Sequence, residues 1–322
     1  MERPSKHVYP DLLAPADIGI VGNGYVGGAM AYGFTEVSKG RDRIRVYDAN
    51  PRRSLHPFRE TIEASDFIFV CLPTPMYSDG SGIDLTYIRK SLAEITPLTD
   101  DTDKLVILKS TIIPESTRRF QEMYPSTRLA YNPEFLTEAN WQNDIKNAPI
   151  TVLGAFRDED LTTLDTLYRP RFPQTHIHPT DPTTAEHIKY AANIHLAVKI
   201  TINNIFYDYT QSTATSWEEV SSVLAREPRF GPTHWMVTSA RGFGGKCLPK
   251  DIEAGVADME SRGIDCSVLR SVIEYNKRIR KDHDWHNIPG AVSAPPTDRD
   301  ELYDAPSRIL HEAVVDSLSI HS

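Results

Sequence analysis

The sequence is 322 residues long, 40% hydrophobic and 25% charged, with a formal net charge of −9, enough chain for two domains that each bury a core. The negative balance and the scattered lysines and arginines argue against a nucleic-acid partner, which needs clustered cations to meet phosphates. No run approaches about 18 apolar residues, the length of a membrane span, and the opening residues lack the apolar centre of a secretion signal, so no membrane partner is expected and the cytoplasm is the expected location.

In chain order, the first half offers short apolar runs at 17–21, 43–47, 66–71, 105–109 and 150–154, separated by helical or loop segments. Nearly all-apolar strands alternating with helices predict a parallel sheet covered on both faces, a Rossmann-type doubly wound α/β domain. From Pro182 to about Tyr209 the apolar residues repeat at helical spacing, which predicts one long helix. Asp181 or Thr183 can cap it, Pro182 suits its first turn, and Glu186 stands three residues after Thr183 as in a capping box. Further helices are expected around 218–225, 251–263 and 268–282. The expected domains are 12–181, a dinucleotide-binding domain; 182–283, a helical domain built on the long helix; and 284–322, a Pro-rich linker with a short helix at 309–318.

Two motifs carry chemistry. Gly22, Gly24 and Gly27, with Tyr25 and Val26 between them, follow the first strand directly and open a helix, the context in which G-x-G-x-x-G lets backbone N–H groups meet a pyrophosphate. Asp48 ends the second strand where an acid would bind the adenosine ribose and repel a 2′-phosphate, favouring NAD over NADP. The bland alternatives are a glycine-rich turn without a ligand and a surface acid.

The second motif, residues 242–251, sets Cys247 in a glycine-rich loop between Lys246 and Lys250 and beside Asp251. Neighbouring cations raise the thiolate fraction of a cysteine, and burying a thiol among these charges is costly. Cys71 and Cys266 read as packing residues. With three cysteines and no CxxC pair, no disulfide or metal site is expected. Lys189 and Asn193 stand four apart, on one face of the long helix, as donors for an oxyanion or as an ordinary polar face. Glu134 and Glu138 could be an acid/base pair or solvent-facing acids, and Arg229 a phosphate contact or a surface arginine.

With these pieces in order, the chain resembles the UDP-glucose/GDP-mannose dehydrogenase family from about residue 17 to 282. The matching segments are GNGYVG (22–27), VCLPTP (70–75), KSTIIP (109–114), NPEFLTE (132–138), AEHIKYAANIHLAVKI (185–200), EPRFG (227–231) and GFGGKCLPKD (242–251). The resemblance implies an NAD-dependent oxidation of a nucleotide sugar's C6 alcohol to a carboxylate, with two NAD consumed. Cys247 would be the covalent nucleophile, Lys189 and Asn193 the donors to anionic oxygen, Asp251 and Thr111 the residues that position or activate water, and Glu138 the acid/base. Pro73, Thr74 and Thr111 would border NAD. Glu134, Phe135, Leu136, Phe243 and Gly244 would line the substrate pocket, and Arg229 would reach a neighbouring subunit's substrate across a homodimer built on the long helix.

The chain departs from the family in having Lys246 where serine is common and in lacking the pattern of a second nucleotide-binding domain after residue 284. UDP-glucose is the expected substrate, with GDP-mannose or an N-acetylated UDP-sugar as alternatives. A one-step hydroxy-acid dehydrogenase and a non-catalytic NAD-binding protein are the other readings.

Overall fold

The computed structural model of the protein describes residues 14–137 and 140–295. In chain order the elements are β1 (Asp17–Val21), α1 (Tyr25–Ser38), β2 (Arg43–Tyr47), α2 (Phe58–Glu63), β3 (Phe67–Val70), β4 (Met76–Tyr77) and α3 (Thr86–Thr99). There follow β5 (Leu105–Leu108), α4 (Ser116–Met123), β6 (Arg128–Tyr131), α5 (Trp141–Lys146), β7 (Ile150–Ala155), α6 (Asp158–Tyr168) and β8 (His176–Thr180). The second half holds α7 (Pro182–Ser212), α8 (Trp217–Leu224), α9 (Leu248–Ser261), α10 (Ser267–Ile279), a 3-10 turn (Asp284–His286) and β9 (Val292–Ser293).

Among the described residues, seven strands make one sheet in the order β2-β1-β3-β5-β6-β7-β8. Their side chains alternate between its faces. Ile68, Val70, Val106 and Leu108 join Ile88, Leu92 and Ile95 of α3 in one core, while Phe69, Leu105 and Ile107 join Met30, Phe34, Leu164 and Leu167 of α1 and α6 in the other. Both faces are therefore dry, which is why these strands are apolar throughout.

The sheet is not wholly parallel, as the sequence suggests it should be: β6 and β7 pair antiparallel, Tyr131 opposite Gly154. Among the described residues the connection from 132 to 149 holds only the six-residue α5, and a chain that turns back at one edge needs no long crossover. Glu134, Phe135 and Leu136 thereby stay at the carboxyl edge of the parallel strands. The strands β6 and β8 are not anticipated from sequence.

The long helix forms as expected, 31 residues capped by the Asp181 carboxylate accepting from the Thr184 N–H. Its first turn lies so close to β7 that a Cβ on Gly154 would stand 2.9 Å from Pro182 Cα. The capping box does not form. Glu186 is fully buried and accepts from the Glu115 N–H at 2.6 Å, the Thr117 N–H at 2.8 Å and the Thr117 hydroxyl at 2.6 Å. A tertiary demand, the open N-terminus of α4, takes the carboxylate from its local role.

Ala197 of α7 packs with Ile252 and Val256 of α9 and with Val272 and Ile273 of α10 in a third core. Further along α7, Ile202, Ile205, Phe206 and Tyr209 are exposed. After α10 the chain returns to the first half, where β9 pairs with β4 through bonds from Met76 N–H to the Ala291 carbonyl and from Ser78 N–H to the Ser293 carbonyl. The described part of the expected linker is thus a strap with pairing of its own; the expected helix at 309–318 lies outside the described residues. Among the described residues no helix is long and apolar enough to cross a membrane.

Candidate active site

The glycine turn joins β1 to α1. Gly22 has φ 98°, and a Cβ there would lie 2.5 Å from the Cys71 carbonyl oxygen; one on Gly27 would lie 1.8 Å from the Gly22 carbonyl oxygen. Both glycines are required by the backbone itself. Gly24 is different: a Cβ there meets nothing within 4 Å, so its missing side chain leaves open space at the start of α1. Tyr25 and Val26 form the first turn of that helix, where the backbone dipole favours an anion.

Asp48 accepts from the Asn23 N–H at 2.7 Å and the Asn50 N–H at 2.8 Å. It holds the glycine turn in place and keeps lone pairs for further donors. These residues fit a dinucleotide: the 22–27 turn would hold the pyrophosphate and Asp48 the adenosine ribose.

Two further loops meet at the same edge of the sheet. The Ser110 hydroxyl donates to the Leu72 carbonyl at 2.6 Å and accepts from its N–H at 3.0 Å, while the Thr74 hydroxyl donates to the Thr111 carbonyl at 2.8 Å. Pro73, Thr74 and Thr111, expected together from sequence, are brought together by this stitching. Ser110 lies in the KSTIIP segment, but the sequence assigns it no role of its own.

Cys247 is exposed, whereas Cys71 and Cys266 are buried. It is the residue preceding α9, with Pro249 in the first turn. Asp251, one turn into α9 and fully buried, accepts from the Asn193 amide at 2.5 Å and from the Lys250 ammonium. Lys189, one turn before Asn193 on α7, donates to the Glu134 carbonyl at 2.6 Å and carboxylate at 3.1 Å. Helices α7 and α9 thus bring Cys247, Asp251, Asn193 and Lys189 to one place, with the 132–137 loop closing it.

The electrostatics differ from the sequence expectation. Loss of water around the thiol, then the nearby Asp251 and Glu134 carboxylates, push Cys247 up to about 11 against the pull of Lys250 and Lys189. The flanking lysines therefore do not make it a thiolate, because Lys250 spends its charge on Asp251. Desolvation opposes the Lys189 charge, but Glu134, Asp251 and Cys247 more than offset it and hold its pKa above the ordinary lysine value. Glu134, buried as well, is held below the ordinary carboxylate range because Lys189, the Leu136 N–H and Lys109 outweigh its desolvation.

Sequence reasoning missed what fixes the Glu134 loop. Asn132 is fully buried; its amide donates to Thr151 and to the Val152 carbonyl, and its Oδ1 accepts from Lys109 Nζ at 2.7 Å and the Tyr168 hydroxyl at 2.6 Å. Lys109 also reaches the carbonyls of Asn132 and Pro133, and burial pushes it down to about 8.

The remaining expected residues divide. Leu136 and Phe135 flank Glu134, with Lys189 Nζ 5.4 Å from the Phe135 ring centre. Glu138 lies outside the described residues. Phe243, expected at the substrate, is buried in the core of the second half with Val256 and Ile273, where an aromatic ring gains more from packing than from exposure. Gly244 leaves room for Arg280 and Asp284: a Cβ there would stand 2.3 Å from Arg280 Nη2 and would require these side chains to shift. Arg229 is exposed and pairs with Glu227, two residues away, not with any residue of the cluster.

Comparison with known proteins agrees with this arrangement. The profile of the UDP-glucose/GDP-mannose dehydrogenase family, NAD binding domain, matches residues 52–172, and that of the family's central domain matches residues 183–278. A UDP-glucose 6-dehydrogenase from Rickettsia felis is 30% identical over 239 residues, covering 73% of this chain and 52% of the relative. A GDP-mannose 6-dehydrogenase from Pseudomonas syringae pv. tomato is 28% identical over 236 residues, covering 70% of this chain and 53% of the relative. A solved UDP-glucose dehydrogenase from Pyrobaculum islandicum superposes with a TM-score of 0.75 at 25% identity, covering 84% of this chain and 70% of that one. The chain spans about half the length of such curated relatives. The cofactor of its first half is NAD. With both profiles in sequence order on one chain, and with this fold, the protein belongs to the UDP-glucose/GDP-mannose dehydrogenase family.

Proposed function

We propose that the protein is a nucleotide-sugar 6-dehydrogenase that oxidises the C6 alcohol of UDP-glucose to the carboxylate in two steps, through a covalent adduct on Cys247. The observation that carries this reading is the place of Cys247, an exposed residue whose sulfur is shielded from water by its surroundings, at the head of α9 beside the buried Lys189 and Asn193 of α7. When bound, NAD supplies the hydride acceptor for each oxidation.

The residues of the chain do the rest. Glu138 takes the alcohol proton. The sulfur of Cys247 then bonds to the aldehyde carbon while the thiol proton passes to the former carbonyl oxygen, so a neutral thiol suffices for the thiohemiacetal. Lys189, with two of its N–H groups engaged by Glu134, directs the third at the developing oxyanion beside the Asn193 amide. In the second oxidation the thiohemiacetal carbon gives up its hydride while the hydroxyl proton is lost to water; the thioester carbon is then attacked by water, placed by Asp251 and Thr111, the C–S bond breaks, and the sulfur regains a proton as the thiol. The 132–136 loop, with Glu134, Phe135 and Leu136, and Gly244 border the sugar. Residues 12–181, 182–283 and 284–322 are the corresponding domains.

The exposed Ile202, Ile205, Phe206 and Tyr209 of α7 support a homodimer through that helix, across which Arg229 would reach the partner's substrate, and the location would be the cytoplasm. GDP-mannose and an N-acetylated UDP-sugar are the rival substrates. Mass spectrometry of the product from UDP-glucose and NAD, with the NADH yield, tests the reading: a uronic acid and two NADH per sugar are expected. One NADH and an aldehyde or ketone would overturn it, and turnover with another sugar nucleotide alone would reassign the substrate.

A further inference from the structure

The loop that ends in Cys247 is backbone-rich and poor in side chains of its own. Arg241, Gly242 and Gly245 all have positive φ, 59°, 55° and 74°, so the loop has no regular hydrogen-bond pattern to hold it, and its form must be imposed from outside.

Three residues spaced four apart impose it: Asn276 in α10, Arg280 just past its end, and Asp284 in the following turn. The Asn276 amide accepts from the Phe243 N–H at 2.8 Å and donates to the Phe243 carbonyl at 3.0 Å, as a neighbouring strand would. Arg280 donates to the Arg241 carbonyl at 2.9 Å and to Asp284 through Nε at 3.1 Å and Nη2 at 2.9 Å. The other oxygen of Asp284 accepts from the Gly245 N–H at 3.0 Å. From the opposite side, Asn204 of α7 accepts from the Gly242 N–H at 3.0 Å and from Arg241 at 2.9 Å.

The fit is tight. A Cβ on Gly242 would stand 2.2 Å from Asn276 Oδ1, and one on Gly244 2.4 Å from Asp284 Oδ1. Gly242 and Gly244 therefore make room for these three side chains, and every backbone polar group they bind is one that the loop's irregular path leaves without a main-chain neighbour.

We propose that Asn276, Arg280 and Asp284 are positioning residues that set the presentation of the Cys247 thiol to the Lys189 and Asn193 donors. They touch no reacting atom and act through the backbone of residues 241–245. This role rests on Cys247 being the nucleophile, and alkylation of the thiol reads it without turnover.

In the full-length protein, Asn276→Asp keeps the acceptor for the Phe243 N–H but loses the donor to its carbonyl, and Asp284→Asn removes the charge that joins Arg280 to Gly245. Iodoacetamide modification of Cys247 is followed by mass spectrometry of its peptide from pH 7 to 11, beside kcat and KM for UDP-glucose, NAD binding and circular dichroism. A loosened loop lets water reach the sulfur, so the midpoint of the alkylation profile should fall by about one pH unit and the rate at pH 8 rise about ten-fold. A displacement of the thiol on the order of 1 Å should lower kcat about 100-fold, with NAD binding and helix content unchanged.

Wild-type alkylation profiles in both folded variants would overturn the proposal. A shifted profile in a protein that oxidises no nucleotide sugar would leave the clamp standing and sink the proposed reaction instead. If Asn276→Asp does not fold, the Asp284→Asn profile decides.

Discussion

The ammonium of Lys189 is held by one residue twice, through both the main-chain carbonyl and the carboxylate of Glu134. The carboxylate supplies the charge that lets a buried lysine remain cationic; the carbonyl supplies direction. Glu134→Gln keeps the direction and removes the charge. Desolvation of Lys189 is then less opposed and its pKa falls, so the alkaline limb of the kcat profile should move to lower pH. Replacing Glu134 by Ala should cost about 3 kcal/mol in urea unfolding, the scale for breaking a buried pair. An unshifted alkaline limb in Glu134→Gln would show that the carboxylate does not set the lysine's charge.

Cys247 should be slow to alkylate at pH 7.5 in the free protein, since its thiol is pushed up to about 11. After desolvation, the Asp251 carboxylate is the largest contribution raising it. Asp251→Asn should therefore lower the midpoint of the alkylation profile and speed the reaction at pH 8, about ten-fold for every pH unit by which the midpoint falls. Slower alkylation in that variant would mean the carboxylate assists thiolate formation.

The two kinds of glycine in the cofactor turn should separate on substitution. Gly24→Ala puts a methyl into open space, so the unfolding free energy should change by no more than about 0.5 kcal/mol while NAD binds about ten-fold more weakly where the pyrophosphate must approach. Gly27→Ala forces a methyl against the Gly22 carbonyl and should destabilise the fold by about 2 kcal/mol or more. Titration calorimetry with NAD and urea melts on both variants check this.

Glu186 gives a pH dependence of stability with an unusual sign. Burial raises it to about 7 from a value of 4.5, despite the donors of Thr117 and Glu115. The folded protein thus keeps a proton that the unfolded chain releases between those values. Its contribution is full below about pH 4.5 and is lost as pH rises through 7, by about 3 kcal/mol in total. Glu186→Gln cannot titrate, so the difference in unfolding free energy between wild type and variant should tilt across pH 4.5 to 7 and level off above it. A flat difference would place the Glu186 pKa near its ordinary value.

Much of the fold is legible in the sequence because the strands at 17–21, 67–70, 105–108 and 151–155 are largely buried on both faces, and burial on both faces writes a continuous apolar run; the edge strand 43–47, with Arg43 and Arg45, is read from its alternation instead. The strand β8, at the sheet edge with exposed His176 and His178, carries no such run, and β6 is only four residues long. Local pattern placed Lys189 beside Asn193 and Cys247 beside Asp251. It could not join the two pairs, because the Asn193–Asp251 bond spans 58 positions. The same limit hid Asn132 under the Glu134 loop and sent Glu186 to a helix end 69 positions away, where a capping box was the nearer expectation.

One rod carries both Lys189 and Asn193 of the candidate site and the exposed apolar face of Ile202, Ile205, Phe206 and Tyr209. At 3.6 residues per turn, deleting a single residue between Asn193 and Ile202 would swing everything beyond it by about 100° around the axis. Either the amide would leave the sulfur or the aromatic patch would turn to a different side. The stretch 194–201 is therefore constrained in length as well as at side chains such as Ala197 that pack in the core, and under the proposed function residue count keeps the site and the apolar face in phase.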